Sequence, residues 1–286
     1  MRTARGIEQV REAVAEVRSE GTVLGLVPTM GALHEGHLSL VRAARAVCDV
    51  TVVSIFVNPL QFGPREDFSS YPRPEEADLR LAEQEKADIV FLPTVEEMYP
   101  PDADVRIGAG ELGTILEGAV RPGHFDGVCT VVAKLFNIVH PDRAFFGQKD
   151  AQQVAVIRRM VRDLSFATTI EVCPIVREPD GLALSSRNVY LSEHDRGRAP
   201  VLHRSLVGGA EVLLAGGDAA AVERAMDEIL GAEEVVVDYA RVVVPDDFTP
   251  WSDGPALLVV AARLGATRLI DNLAVPTSAG ETGDTR

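Results

Sequence analysis

Residues 22–164 alternate short, β-branched apolar runs with longer stretches in which apolar positions recur every three or four residues. No other feature of the chain limits its fold so strongly. Strands that alternate with helices of this length build βαβ units, and such units close into a parallel sheet covered on both faces. The runs at 22–27, 50–57, 88–92 and 144–147 read as strands, and the one at 50–57 is apolar enough for a strand buried on both sides. Helical spacing marks 7–20, the stretch from 37 onward, 74–86, 125–139 and 151–164. Leu40, Ala43, Ala44 and Val47 share one face of the second of these, and Val128, Val131, Val132, Leu135 and Val139 share one stripe of the fourth. Pro28-Thr29-Met30-Gly31 is expected to end the first strand.

Near residues 172–177 the rhythm changes. Helices are expected at about 198–215 and 218–230, then strands at about 234–244, 256–263 and 267–271. The sequence therefore predicts a doubly wound α/β domain over 1–175 and a smaller α+β domain over 176–286, with a disordered tail from about 277. A length of 286 residues accommodates both. The 43 acidic against 28 basic side chains give a formal charge of -15, which argues against nucleic acid as a partner. No apolar run approaches the roughly 20 residues of a bilayer span, and residues 1–20 read as helical and charged, without the apolar core of a secretory signal. Both observations point to the cytoplasm and away from a membrane. Cys48, Cys129 and Cys173 are too few and too scattered for a disulfide framework or a thiolate metal site.

The chemistry-bearing residues gather just past the predicted strand ends, where open α/β sheets bind their ligands. After the first strand come Met30, Gly31, Ala32, Leu33, His34, Glu35, Gly36 and His37. Two histidines three residues apart at a helix start can face one anion together with the unpaired backbone N–H groups there, and Gly36 would let a nucleotide approach the backbone. After the second strand, Asn58 and Gln61 offer carboxamides that both donate and accept, suited to a polyhydroxy or carboxylate substrate. Past the strand at 144–147 stand Gln148, Lys149 and Asp150, where a fixed cation could meet phosphate. Asp150 and Gln153 also have the spacing of a helix cap, which leaves a structural reading open. Ser185, Ser186 and Arg187 form a polar loop beyond the domain change. Gly108-Ala109-Gly110-Glu111-Leu112-Gly113 matches a dinucleotide fingerprint in letters, but no strand precedes it and no long helix follows.

The ordered set His-Glu-Gly-His at 34–37, Val-Asn-Pro-Leu-Gln-Phe at 57–62, Gly-Gln-Lys-Asp at 147–150 and Ser-Ser-Arg-Asn at 185–188 closely resembles the pantothenate synthetase family. The resemblance spans about residues 22–275, including Glu117-Gly118 and the segment 121–125. It implies a Rossmann-like sheet of the His-x-Gly-His nucleotidyltransferase type. It also implies a two-step reaction in which ATP, with Mg2+, and pantoate give pantoyl-adenylate, which β-alanine converts to pantothenate and AMP. The catalytic residues it implies are His37 as proton donor, His34, Lys149 and Arg187. Around ATP it places 30–37, Gly147, Gln148, Lys149, Asp150, Val176, Leu184, Ser185, Ser186 and Arg187. Gln61 and Gln153 hold pantoate, with Asn58 and Arg121 as further substrate contacts, and an acidic contribution near Mg2+ rests on Asp78. The family commonly carries Glu at the place of Gln148 and Met at that of Leu184. It also implies a homodimer through the amino-terminal domain. Two rival readings are a nucleotidyltransferase acting on a phosphate, which Gln61 and Gln153 disfavour, and a silent nucleotide sensor, which the retained histidines, Lys149 and Arg187 disfavour.

Overall fold

The computed structural model describes residues 1–64 and 66–276; the tail expected from 277 lies outside the described residues. Two compact units emerge, one of residues 1–176 with 184–186, the other of 177–183 with the chain from 187 on. The strands of the first are β1 (Arg2–Ala4), β2 (Leu24–Thr29), β3 (Val50–Ile55), β4 (Ile89–Phe91), β5 (Arg143–Gly147) and β6 (Thr169–Cys173). Its helices are α1 (Ile7–Val17), α2 (Glu35–Val47), α3 (Glu75–Gln84), α4 (Val95–Met98), α5 (Glu117–Val120), α6 (His124–Val139) and α7 (Ala151–Asp163).

The six strands form one parallel sheet in the order β1-β4-β3-β2-β5-β6. Successive strand residues point to opposite faces. Val27, Val53, Ile55, Val90 and Phe145 join Leu38, Val41, Ala44 and Ala82 in one apolar cluster beneath α2 and α3. Their neighbours Leu26, Val52, Ile89, Phe91 and Phe146 are buried as well, which leaves the other face to α1, α6 and α7. This is the doubly wound arrangement that the alternation predicted. Because the chain winds from β2 outward through β3 and β4 and then resumes on the other side with β5 and β6, the order reverses between β2 and β5. Their carboxyl ends flank the crevice that such a reversal opens.

Three expectations need correction. Residues 1–20 are not helical throughout: Arg2–Ala4 pair with Ile89–Phe91 as an edge strand. A sixth strand, β6, occupies the stretch read only as a change of rhythm; it is an edge strand, mostly half-buried, and its periodicity is correspondingly weak. Finally, β2 runs through Pro28 to Thr29. Odd-numbered residues of β2 bond to β3, as when Thr29 O accepts from Phe56 N–H, and even-numbered ones face β5, as when Leu24 O accepts from Asp142 N–H. Pairing with β5 ends at Leu26, so Pro28 lacks its donor on a side where the ladder has already stopped.

The second unit carries α8 (Glu193–Arg198), α9 (Val201–Leu214), α10 (Ala219–Gly231) and the antiparallel sheet β7 (Val236–Val243), β8 (Ala256–Leu264) and β9 (Thr267–Val275). Leu202, Leu206, Met226 and Leu230 of the helices pack on Leu258 and Val260 of β8. Arg177 ties the start of this unit to β9 through a two-pronged bond to the buried Asp271, at 2.6 and 2.9 Å.

Candidate active site

The turn after β2 is shaped by two consecutive residues with positive φ, Gly31 at 80° and Ala32 at 48°. A Cβ at Gly31 would also lie 2.9 Å from Asp78 Oδ2, so glycine is required there for conformation and for space. Asp78, buried on α3, accepts from Ala32 N–H at 2.9 Å and from Leu33 N–H at 2.7 Å. Burial raises its pKa, and the two N–H bonds act against that rise. The acidic contribution near Mg2+ was expected from Asp78; in the structure each of its two oxygens accepts one backbone N–H of this turn. Among the described residues no group of three or more His, Cys, Asp or Glu side chains could hold a metal ion.

The turn delivers His34 and His37 to the start of α2 as a reciprocal cap. His34 Nδ1 accepts from Gly36 N–H at 3.2 Å, and His37 Nδ1 accepts from His34 N–H at 3.4 Å. A neutral imidazole that accepts at Nδ1 carries its proton at Nε2. Both rings, 4.1 Å apart, thus keep an N–H donor on the side away from the helix backbone. Burial depresses the pKa of His34 to about 4, with Lys149 adding to the fall and Asp150 opposing it. His37 falls to about 3, through burial first, then the neighbouring His34 and Lys149. The two imidazoles are neutral donors near pH 7. Gly36 has a reason that sequence reasoning did not find: a Cβ there would sit 2.9 Å from His34 Cε1, so the space belongs to the imidazole.

Across the switch point, β5 ends in the 3-10 turn Gln148–Asp150, and Lys149 Nζ donates to Asp150 Oδ1 at 3.1 Å. Lys149 and Asp150 both act on the charge of His34 and His37, so the ends of β2 and β5 present these four side chains to one region. The side chain of Gln153, in the first turn of α7, makes no hydrogen bond to the described residues, and Asp150 stands at the N-cap of that helix without a side-chain bond to its backbone N–H groups. The capping alternative left open by the sequence is not what the fold uses. Val176, Leu184, Ser185 and Ser186 belong to the same unit: Leu184 N–H donates to Val176 O at 3.0 Å, and Ser186 Oγ meets Tyr71 Oη at 3.2 Å. Arg187 falls in the other unit.

Past β3, the two carboxamides divide their labour. Asn58, fully buried, donates through Nδ2 to Gln61 Oε1 at 2.9 Å and to Gly127 O at 3.0 Å, while its Oδ1 accepts from Leu60 N–H and Tyr99 Oη–H. Its hydrogen-bonding capacity is used internally, and one of its bonds supports Gln61. Arg121 likewise has partners within the fold. Its guanidinium is held by Glu66 at 3.0 and 2.7 Å, approaches Glu117 at 3.5 Å, and bonds Gln61 O at 3.2 Å. The Arg121 Nη1 donor makes His124 Nε2 an acceptor, so His124 Nδ1–H donates to the same Gln61 carbonyl at 2.8 Å. Burial, with Arg121, lowers the His124 pKa to about 4.

Two residues that sequence reasoning missed fix this arrangement. Gly127 lets α6 lie directly on the 59–61 turn, since a Cβ there would fall 2.1 Å from Leu60 O. Gln152 threads three backbone groups of the 112–117 loop, accepting from Glu117 N–H and donating to Leu112 O and Ile115 O. The glycine-rich stretch at 108–113 follows no strand and ends in a single 3-10 turn, Glu111–Gly113, as expected of an accidental match.

Known proteins resemble this chain over nearly its whole length. The model of the Pantoate-beta-alanine ligase family matches residues 2–274. Pantothenate synthetase of Acidobacterium capsulatum is 55% identical over 96% of each chain, and that of Thermotoga neapolitana 52% identical over 95% of this chain and 99% of its own. The crystal structure of pantothenate synthetase from Thermus thermophilus superposes with a TM-score of 0.91 at 49% identity, covering 97% of this chain and all of the other. A Francisella tularensis pantoate-beta-alanine ligase, complexed with beta-gamma ATP and beta-alanine, gives a TM-score of 0.80 at 35% identity over 96% of this chain and 97% of its own. With near-complete coverage, identities near one half and the same fold, the chain belongs to the pantoate-beta-alanine ligase family.

Proposed function

We propose that this chain condenses pantoate with β-alanine at the expense of ATP, through a pantoyl-adenylate. The reading is carried by the four side chains that the ends of β2 and β5 present together: two neutral imidazoles with outward Nε2–H donors and a Lys149–Asp150 pair. Family membership supports it, as does the ligand pair of the Francisella relative.

In the first step a pantoate carboxylate oxygen attacks the α-phosphorus, and the bond from that phosphorus to the pyrophosphate oxygen breaks. In the second, the β-alanine amine attacks the acyl carbon, AMP leaves, and the amine gives up its proton. Neither step needs an enzyme nucleophile. What they need is alignment and stabilisation of charge on the phosphoryl oxygens. His34, His37 and the N-terminus of α2 supply N–H donors for this, and Lys149 a cation; Arg187 is the further cation that the family resemblance implies. Asp150 is suited to the ribose hydroxyls, and Gln61 and Gln153 to pantoate. Mg2+ enters with the ATP phosphates in this reading. The same reading includes a cytoplasmic homodimer through the first unit, which sedimentation of the purified protein checks. Among the described residues no helix is long and apolar enough to cross a membrane.

The test is exchange of labelled pyrophosphate into ATP. It should require pantoate and proceed without β-alanine, with pantothenate appearing only when the amine is added. Exchange that needs β-alanine, or none with pantoate, would reject the adenylate route.

A further inference from the structure

We infer that Tyr99 is a positioning residue for Gln61, the carboxamide proposed to meet pantoate: by holding Asn58 it steadies Gln61 in the orientation that turns its NH2 toward the substrate. This rests on the functional reading above. The argument begins at the backbone. Leu60 N–H points at one end of the Asn58 amide at 3.3 Å and Gly127 C=O at the other at 3.0 Å; an N–H needs an acceptor and a carbonyl a donor, so these two partners set Asn58 with Oδ1 toward Leu60 and Nδ2 toward Gly127. The second proton of Nδ2 then faces Gln61 at 2.9 Å, and the atom that receives it must be Oε1. Gln61 has its NH2 left over. That group bonds to none of the described residues. Gln61 therefore offers substrate a donor, matched to an oxygen lone pair.

Tyr99 closes the chain of bonds. Its hydroxyl donates to Asn58 Oδ1 at 2.9 Å, the second lone pair of an oxygen that already accepts from Leu60 N–H. A phenol can donate or accept, and it donates here because Leu60 N–H and Gly127 C=O have already set the atom it meets as an oxygen. Burial raises the Tyr99 pKa, and its ring is held against Phe56 at 6.1 Å. Without the hydroxyl, Asn58 Oδ1 keeps one weak bond, the Asn58–Gln61 contact loosens, and the Gln61 amide is free to turn. The effect belongs to pantoate recognition. Nothing in this chain of bonds touches the ends of β2 or β5 that would hold ATP.

The measurement is pantoate-dependent pyrophosphate exchange by Tyr99→Phe, Gln61→Met and the double variant, with melting temperatures taken alongside. Tyr99→Phe should raise the pantoate concentration for half-maximal exchange about tenfold, the size expected for one buried hydrogen bond to an oriented polar group, while the ATP concentration dependence stays within about twofold. In the Gln61→Met background the added Tyr99→Phe change should have no further effect on pantoate. Unchanged pantoate dependence in Tyr99→Phe, equal losses toward pantoate and ATP, or additive effects in the double variant would each overturn the inference. Should Tyr99→Phe not fold, Asn58→Ser, which removes the donor to Gln61, must show the same pantoate-selective loss; an even loss toward both substrates overturns the inference. Absence of exchange in the unmodified protein would instead mark failure of the functional reading.

Discussion

At the scale of single residues, the same side-chain type does different work according to what its polar atoms already hold. Asn58 and Gln61 are three residues apart and both buried, yet one is saturated by Gln61, Gly127, Leu60 and Tyr99 and the other keeps a free donor. Gln152 and Gln153 are adjacent, and the first carries three loop bonds while the second carries none. Gln153 is thus neither a cap nor a strut in the fold, which leaves its carboxamide available for the pantoate contact proposed above. Gln153→Ala should weaken pantoate-dependent adenylate formation by about tenfold, the cost of about 1–3 kcal/mol when a buried substrate group loses its partner. ATP binding should hold, and the melting temperature should move little, because no intramolecular bond is lost. A fall in melting temperature with unchanged pantoate dependence would return Gln153 to a structural role.

At the scale of elements, the site depends on how closely α6 approaches the turn after β3. Gly127 is the contact point, and a methyl group there would overlap both Leu60 O and Gln61 N, which are backbone atoms that cannot rotate aside. Gly127→Ala should cost about 1–3 kcal/mol of stability, the usual range for overpacking, and should displace Gln61 enough to weaken pantoate use as well. Denaturant unfolding measures the first and pantoate-dependent exchange the second; a variant with wild-type values for both would mean that the contact is loose. This packing also marks where the sequence stops being readable. The long elements were legible because burial on a face writes a period of 2 or 3.6 into apolar positions, as in α2, where Leu38, Leu40, Val41 and Ala44 are the buried residues. Arg2–Ala4 was not, because three residues are too short to show a period. The positions of His34, His37, Lys149 and Gln153 at strand ends and helix starts followed from local pattern. The roles of Asn58, Arg121, Asp78, Gly127 and Tyr99 did not, because each is set by partners 41 to 69 residues away, such as Tyr99 for Asn58, Asp78 for Ala32, and Glu66 for Arg121. A sequence shows that an asparagine or an arginine is present; only the folded chain shows that its hydrogen bonds are already taken.

At the scale of the whole molecule, the formal charge of -15 and the depressed histidines fix how the fold responds to acid. His34, His37 and His124 are held neutral in the native state, with pKa values of about 4, 3 and 4, while in the unfolded chain each takes up its proton near 6.5. Below 6.5 the unfolded state therefore binds more protons than the folded one, and stability falls as pH falls, until the native values are reached. The half-buried His203 of the second unit is shifted in the same direction. Asp78 works the other way, since a carboxylate raised by burial favours the fold as it protonates, but it is one group against three. The melting temperature should accordingly be highest near neutrality and decline steadily from pH 6.5 toward pH 4. Replacing His124 by glutamine should reduce that slope, because one of the three groups no longer titrates. ATP should act against the decline: a triphosphate beside His34 and His37 favours their protonated forms, so its binding near pH 5 should take up protons, read by calorimetry in buffers of different ionisation enthalpy. A melting temperature flat from pH 7 to pH 4.5, or ATP binding with no proton uptake at pH 5, would mean that the histidines at the start of α2 do not face the phosphates.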